Sequence, residues 1–324
     1  MERRVAPHGR GAMGTVLAMH NRRTFLGGAA SLALTPALFA GPRRARDDSM
    51  ANEPSFRISL AQWSLHRAHQ SGRLAALDFP ARARELGFDA LEYVNSFFAS
   101  AADDRRWVAE LKKRCEDAGQ RSLLIMCDGL GALGDADEAA RTKAVANHAP
   151  WLDAAAELGC HSIRVNAQSS GTWQEQRDRA ADGLRQLATE GDKRGLHVIV
   201  ENHGGLSSNG KWLAEVMAKV DHPHIGTLPD FGNFRVRDDE WYDRYVGVAE
   251  LMPFARAVSA KSHAFDASGN ETGTDYRRML RIVLDAGYRG WIGVEYEGSD
   301  PDEEAGIRAT QQLLVRLRDE FAAG

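Results

Sequence analysis

Cysteine is scarce in this chain: three residues in 324, Cys115, Cys127 and Cys160, with no Cys-x-x-Cys pair. That scarcity excludes a disulfide-stapled secreted scaffold and a structural zinc module, and it leaves three buried thiols as the expectation. The weakly apolar stretch 25–40 is broken by Pro36 and falls short of the roughly 20 residues a membrane span needs. No Gly-x-Gly-x-x-Gly follows the first strand candidate, so a dinucleotide crevice is not indicated. Gly129, Gly131 and Gly134 have the wrong spacing and read as a mobile loop. Basic charge is also short once the N-terminus is set aside. Residues 1–46 hold eight Arg against Glu2, and removing them from the totals of 41 basic and 45 acidic residues leaves 33 and 44. A body at −11 has no general electrostatic reason to bind nucleic acid.

What is present begins with an address. Residues 21–28 read Asn-Arg-Arg-Thr-Phe-Leu-Gly-Gly ahead of a weakly apolar segment. This resembles a twin-arginine export signal, so residues 1–50 are expected to be a cleavable signal and linker, carried by the twin-arginine translocase to the periplasm or beyond. Translation starting at Met19, just before the arginine pair, is a second expectation. Residues 51–324 are expected to form one catalytic domain without stable membrane insertion.

From residue 56 onward, short runs rich in Val, Ile and Leu alternate with longer amphipathic segments, the pattern of parallel βα units. Strands are predicted at 58–63, 90–94, 122–127, 162–166, 197–201, 225–230, 258–263 and 291–295. Helices are predicted at 104–118, 137–158, 174–193, 211–220, 275–286 and 303–321. Several of these end in glycine, as helices closing before a strand do. Eight units in this length match a single (β/α)8 TIM barrel.

Catalytic groups of such barrels project from the C-terminal ends of the strands. Here those ends carry Glu201, Asp230, His263 and Glu295, spaced by 29, 33 and 32 residues, close to one βα repeat each. Three carboxylates meeting there would repel one another unless a divalent cation sat between them. The oxygen-rich donor set suits one such ion, Mn²⁺ first, with Mg²⁺, Co²⁺, Fe²⁺ and Zn²⁺ also compatible. Residues two apart on a strand share a face. This places His203 beside Glu201, Lys261 beside His263 and Glu297 beside Glu295, with Arg164 one strand earlier. His203, Lys261, Arg164 and Glu297, together with Glu92, His66, Trp63 and Asn233, are the expected substrate contacts.

The strings Val-Glu-Asn-His-Gly-Gly, Leu-Pro-Asp-Phe-Gly-Asn-Phe, Ala-Lys-Ser-His-Ala-Phe-Asp and Gly-Val-Glu-Tyr-Glu-Gly, each at a strand end, resemble the xylose isomerase-like TIM-barrel family, often called sugar phosphate isomerase/epimerase. That resemblance implies activities such as ketose 3-epimerase, inosose dehydratase, or lyase or hydratase of 3-keto-glycosides. It implies Glu201, Asp230, His263 and Glu295 as ligands of one metal ion, with Glu201 and Glu295 doubling as the acid/base pair. The sequence departs from the family at Asn233, where ketose epimerases and the related DNA-repair endonucleases usually carry His. The expected function is therefore a metal-dependent isomerase or epimerase that takes a proton from the carbon beside a carbonyl of a non-phosphorylated sugar or keto-sugar. The alternatives are a lyase or hydratase on a 3-keto-glycoside or keto-inositol, and a non-catalytic sugar-binding barrel. Homo-oligomerisation is open, and 233–237 and 241–245 read as lid, partner surface or local packing.

Overall fold

The computed structural model describes residues 54–300 and 302–323. The export-signal expectation at 1–50 lies outside the described residues. Ten strands run in chain order: β1 (Arg57–Ala61), β2 (Ala90–Val94), β3 (Arg121–Met126), β4 (Ser162–Asn166), β5 (His197–Glu201), β6 (Ile225–Leu228), β7 (Arg235–Arg237), β8 (Glu240–Trp241), β9 (Val258–Ser262) and β10 (Trp291–Tyr296). All but β7 and β8, which pair as a small antiparallel hairpin, form one eight-stranded sheet ordered β6-β5-β4-β3-β2-β1-β10-β9. Each of its ladders is parallel.

The sheet closes between its outer members, β6 and β9, through isolated pairs and not a continuous ladder. Pro229 has no N–H to continue a ladder, and the seam is made by the isolated pairs Thr227 with Ala255 and Asp230 with Ser259. Ser259 N–H donates to Pro229 O at 2.9 Å and Phe231 N–H to Ser259 O at 3.1 Å. The last bridge of the barrel therefore runs through one of the carboxylates singled out by sequence.

The helical layer follows the amphipathic pattern. Trp173–Asp192 begins with a capping box, in which Thr172 and Glu175 satisfy each other's backbone N–H. Gly159, in left-handed conformation at φ 76°, ends Ala149–Leu158. The helix predicted over 137–158 is two helices, Glu138–Asn147 and Ala149–Leu158. Pro150 lacks the N–H that a continuous helix would require there, and His148 occupies the joint. The 129–134 loop is pinned rather than free: Gly134 N–H donates to Gln168 O at 2.9 Å, and Asn147 Nδ2 donates to Leu130 O at 2.9 Å. All three cysteines are buried free thiols. None of the described helices is long and apolar enough to cross a membrane.

Inside the barrel, Ala61, Val94, Leu124, Met126, Ile199, Leu228 and Ala257 pack together as an apolar plug. This plug is the floor on which the polar strand ends stand.

Candidate active site

Along β5 and the β6 strand and its exit, each inward residue of the floor is followed two positions later by a charged group: Ile199 by Glu201 and Leu228 by Asp230. β10 places Glu295 in the same layer. Glu201, Asp230 and Glu295 are all buried, and one oxygen from each lies within 4.8 Å of the others.

Their remaining contacts show how each is held. Asp230 Oδ1 accepts the backbone N–H groups of Gly232 and Asn233, both at 2.8 Å. Asn202 clamps the Asp230 backbone, accepting its N–H at 2.7 Å and donating to its carbonyl at 3.0 Å. Glu201 Oε1 accepts from Asn233 Nδ2 at 3.0 Å, and Arg164 Nε lies 2.8 Å from Glu201 Oε2. Arg164 is itself steadied by Asp128 at 2.7 Å. Glu295 Oε2 accepts from Ser259 Oγ at 3.2 Å, and Glu295 Oε1 lies 3.0 Å from Lys261 Nζ. The same ammonium reaches Glu297 Oε2 at 3.1 Å. Two oxygens, Glu201 Oε2 and Asp230 Oδ2, are buried without an aligned hydrogen-bond partner among the described residues.

Such oxygens are costly unless something positive faces them. The electrostatics agree: burial pushes the Glu201 carboxyl up to about 8 against the pull of Arg164, with Glu295 and Asp230 adding to the rise. Burial likewise raises Asp230 to about 6, opposed by Lys261. Burial alone would lower the Lys261 ammonium, but Glu295, Asp230, Glu297 and Glu201 outweigh it and hold the group well above its usual range. Three buried carboxylates whose oxygens come within 4.8 Å of one another, with Asp230 Oδ2 unpartnered among the described residues, are hard donors that fit a divalent cation. Glu201, Asp230 and Glu295 would hold it.

The family follows from the same stretch of chain. A sequence profile of xylose isomerase-like TIM barrels matches residues 80–317. The chain belongs to this family. Solved members share its architecture at low identity. A 3-keto-D-glucoside 4-epimerase from E. coli superposes with TM-score 0.61 at 17% identity, covering 82% of this chain and 99% of that one. A xylose isomerase-like protein from Mycobacterium smegmatis, solved with magnesium, gives TM-score 0.63 at 19% identity over 83% and 98%. At such identities the likeness is one of fold. A C-glycoside deglycosidase alpha subunit from Arthrobacter globiformis is 36% identical over 63 residues, 19% of this chain and only 16% of that protein.

Two sequence expectations need correction within this family frame. His263 does not join the carboxylates: it lies one residue past the end of β9, is exposed, and stands outside the group of three. β9 instead turns Ser259 and Lys261 toward the cluster. Glu92 does not line the mouth. It is buried inside the barrel, accepting from Ser59 Oγ at 2.5 Å, against Gly293, where a Cβ would lie 2.6 Å from both Glu92 oxygens. Burial raises its carboxyl to about 7.

The other expected contacts divide in two. His203, Asn233, Lys261 and His263 line a cavity of about 450 Å³ above the cluster, together with Trp241 and Arg244. Trp63 instead donates its indole N–H to Glu297, while His66 stacks on the Trp63 ring at 5.0 Å and bonds its carbonyl at 2.9 Å. Arg164 and Glu297 act on neighbouring charges, as above. Sequence reasoning passed over Asp128, Asn202 and Ser259. Ser259 shares the inward parity of β9 with Lys261, which is the signal that finds it, and Asp128 follows the inward Leu124 and Met126 of β3 by the same two-residue step.

Proposed function

We propose that this protein is a metal-dependent sugar isomerase or epimerase acting on a non-phosphorylated sugar or keto-sugar, and that residues 1–50 export it. The observation that carries the reading is the convergence of Glu201, Asp230 and Glu295, with Asp230 Oδ2 left unpartnered, under a cavity open to a small polar ligand. A divalent cation there, Mn²⁺ first among the compatible ions, would supply Lewis-acid polarisation of a substrate carbonyl.

The chain's own groups supply the proton chemistry. Glu201 and Glu295 are the acid/base pair: one carboxylate takes the proton from the carbon beside the carbonyl, and the other returns a proton to carbon. Return to the opposite face of the same carbon gives an epimer, and return to the adjacent carbon gives an isomer. Arg164 and Asn233 fix Glu201; Lys261 and Ser259 fix Glu295, so neither carboxylate has to reorganise as charge moves. Lys261 has three N–H donors and spends two on Glu295 and Glu297, leaving the third for a substrate oxygen in the cavity. His203 lines the same cavity and reads as a hydroxyl contact.

A second reading is a lyase or hydratase on a 3-keto-glycoside, and the local match to a C-glycoside deglycosidase subunit favours it. In that case the second proton goes to the β-oxygen as its C–O bond breaks. Incubation in D₂O with NMR separates the two readings. Solvent deuterium in recovered sugar or its epimer is the expected result, whereas an enone or a released aglycone assigns the elimination. Absence of both across a panel of ketoses, keto-sugars and oxidised glycosides would leave a sugar-binding barrel without catalysis. Arg235 and Arg244 at the cavity rim would greet a phosphate, so turnover confined to phosphorylated ketoses overturns the non-phosphorylated substrate.

A further inference from the structure

The three carboxylates are not equivalent. Asp230 Oδ2 has no hydrogen-bond partner among the described residues, and Glu201 has Asn233 on Oε1 and the Arg164 guanidinium 2.8 Å from Oε2, whereas Glu295 is held entirely by β9, Oε1 by the Lys261 ammonium at 3.0 Å and Oε2 by the Ser259 hydroxyl at 3.2 Å. Both partners come from β9, the strand on which the spacing of the other site residues had pointed to an imidazole. Residues 259, 261 and 263 share the inward parity of β9, and the first two reach the cluster because the Asp230–Ser259 bridge ties that level of β9 to the exit of β6. His263, next in parity, stands clear of it.

The side of the cluster where a nitrogen ligand was expected is thus filled by a fixed positive charge and a hydroxyl. An ammonium does not coordinate a metal, since it has donors and no lone pair. It also sets a like charge beside any cation bound by the three carboxylates.

We infer that Lys261, backed by Ser259, occupies the fourth corner of the carboxylate cluster and thereby sets how tightly and how selectively this protein holds a divalent cation: a weakly held ion of the Mg²⁺ or Mn²⁺ kind in place of a tight zinc site. The inference rests on the metal reading proposed above and goes further, because it assigns the metal preference to two residues of one strand. Oxygen-only donor sets favour Mg²⁺ and Mn²⁺, whereas an imidazole added to carboxylates moves preference toward Zn²⁺. Removing the ammonium takes away a repulsive neighbour and leaves Glu295 Oε1 free to bind.

Direct metal titration tests this, with Mn²⁺ followed by electron paramagnetic resonance and Zn²⁺ by calorimetry, on the full chain and three variants. Lys261→Met should bind Mn²⁺ about tenfold more tightly or better, as expected when a like charge is removed from a partly desolvated cluster. Ser259→His should shift the Zn²⁺ to Mn²⁺ affinity ratio about tenfold toward Zn²⁺. Asp230→Asn should lose Mn²⁺ binding, which locates the ion in this cluster. Unchanged Mn²⁺ affinity in Lys261→Met together with unchanged selectivity in Ser259→His overturns the inference. So does Mn²⁺ binding that survives Asp230→Asn, or an absence of binding in all four proteins. Circular dichroism and thermal melting accompany each variant. If Lys261→Met fails to fold, Ser259→His decides alone, and unchanged selectivity there overturns the inference. Titration reads binding without turnover, so a negative D₂O exchange result would sink the proposed reaction and leave this inference standing.

Discussion

The floor and the mouth of the barrel are built from the same strands, two residues apart, and they obey opposite rules. At the floor, Ile199 and Leu228 join Ala61, Val94, Leu124, Met126 and Ala257 in a closed apolar cluster. At the mouth, Glu201 and Asp230 continue the same strands as buried carboxylates, each with one oxygen that no aligned hydrogen bond satisfies. Burial stabilises the first set and strains the second. The comparison teaches that the plug is what lets the mouth hold unfavourable charges in place: strands anchored by packing can present groups that would otherwise relax into water. Glu92 breaks the rule, since it is a lone carboxyl inside the barrel, and its hydrogen bond from Ser59 and the space left by Gly293 make it tolerable.

The sharpest way to separate the two layers is to alter one and measure the other. Glu201→Gln and Glu295→Gln, at the mouth, should each lower kcat by about 10³-fold, the scale of a lost general acid or base, with the thermal midpoint of Glu201→Gln equal to or above that of the unmodified protein. Comparable turnover in either variant would remove that residue from the chemistry. Leu228→Ala, at the floor, should do the reverse, costing about 2–5 kcal/mol in urea unfolding while KM at a temperature well below melting stays within about twofold.

Glu92→Gln tests the exception. The folded protein holds this carboxyl at about 7, above its ordinary 4.5. Between those values the folded state binds more protons than the unfolded one, so the stability tied to the neutral form is fully present below pH 4.5 and is lost as pH rises through about 7. Glu92→Gln should therefore flatten the stability–pH curve and be the more stable protein at pH 8, by up to about 3 kcal/mol. Parallel curves for the two proteins from pH 5 to 8 would show that Glu92 carries no such penalty. The smallest effect is expected at His263→Ala. Its exposed imidazole lines the cavity outside the carboxylate group, so KM should change by less than about tenfold and Mn²⁺ affinity should not move. A lost metal site there would restore His263 as a ligand.

Much of this was legible in the chain. Apolar runs at βα spacing give the eight barrel strands, because a parallel strand covered on both faces reads as a mostly apolar run. An acid that ends such a run stands where it can be used, which is how Glu201, Asp230 and Glu295 were found. Local breaks were harder: Pro150 was visible, yet a continuous amphipathic pattern across 137–158 concealed the joint at His148. The bonds of the early aromatic residues were not legible: the indole N–H of Trp63 reaches Glu297 at the far end of the chain, and His66 pairs with the Trp63 carbonyl.

The sequence by itself determined the barrel, its repeat and the acids that cap its strands, since those depend on periodicity and on residue type. Only the tertiary structure decided which rung of β9 meets the carboxylates. Serine, lysine and histidine at 259, 261 and 263 all face inward by parity, and repeat spacing cannot choose among positions two apart. Closure of the sheet chose: the bridge between Asp230 and Ser259 fixes the register of the seam, and that register puts a hydroxyl and an ammonium beside Glu295 and leaves the imidazole outside.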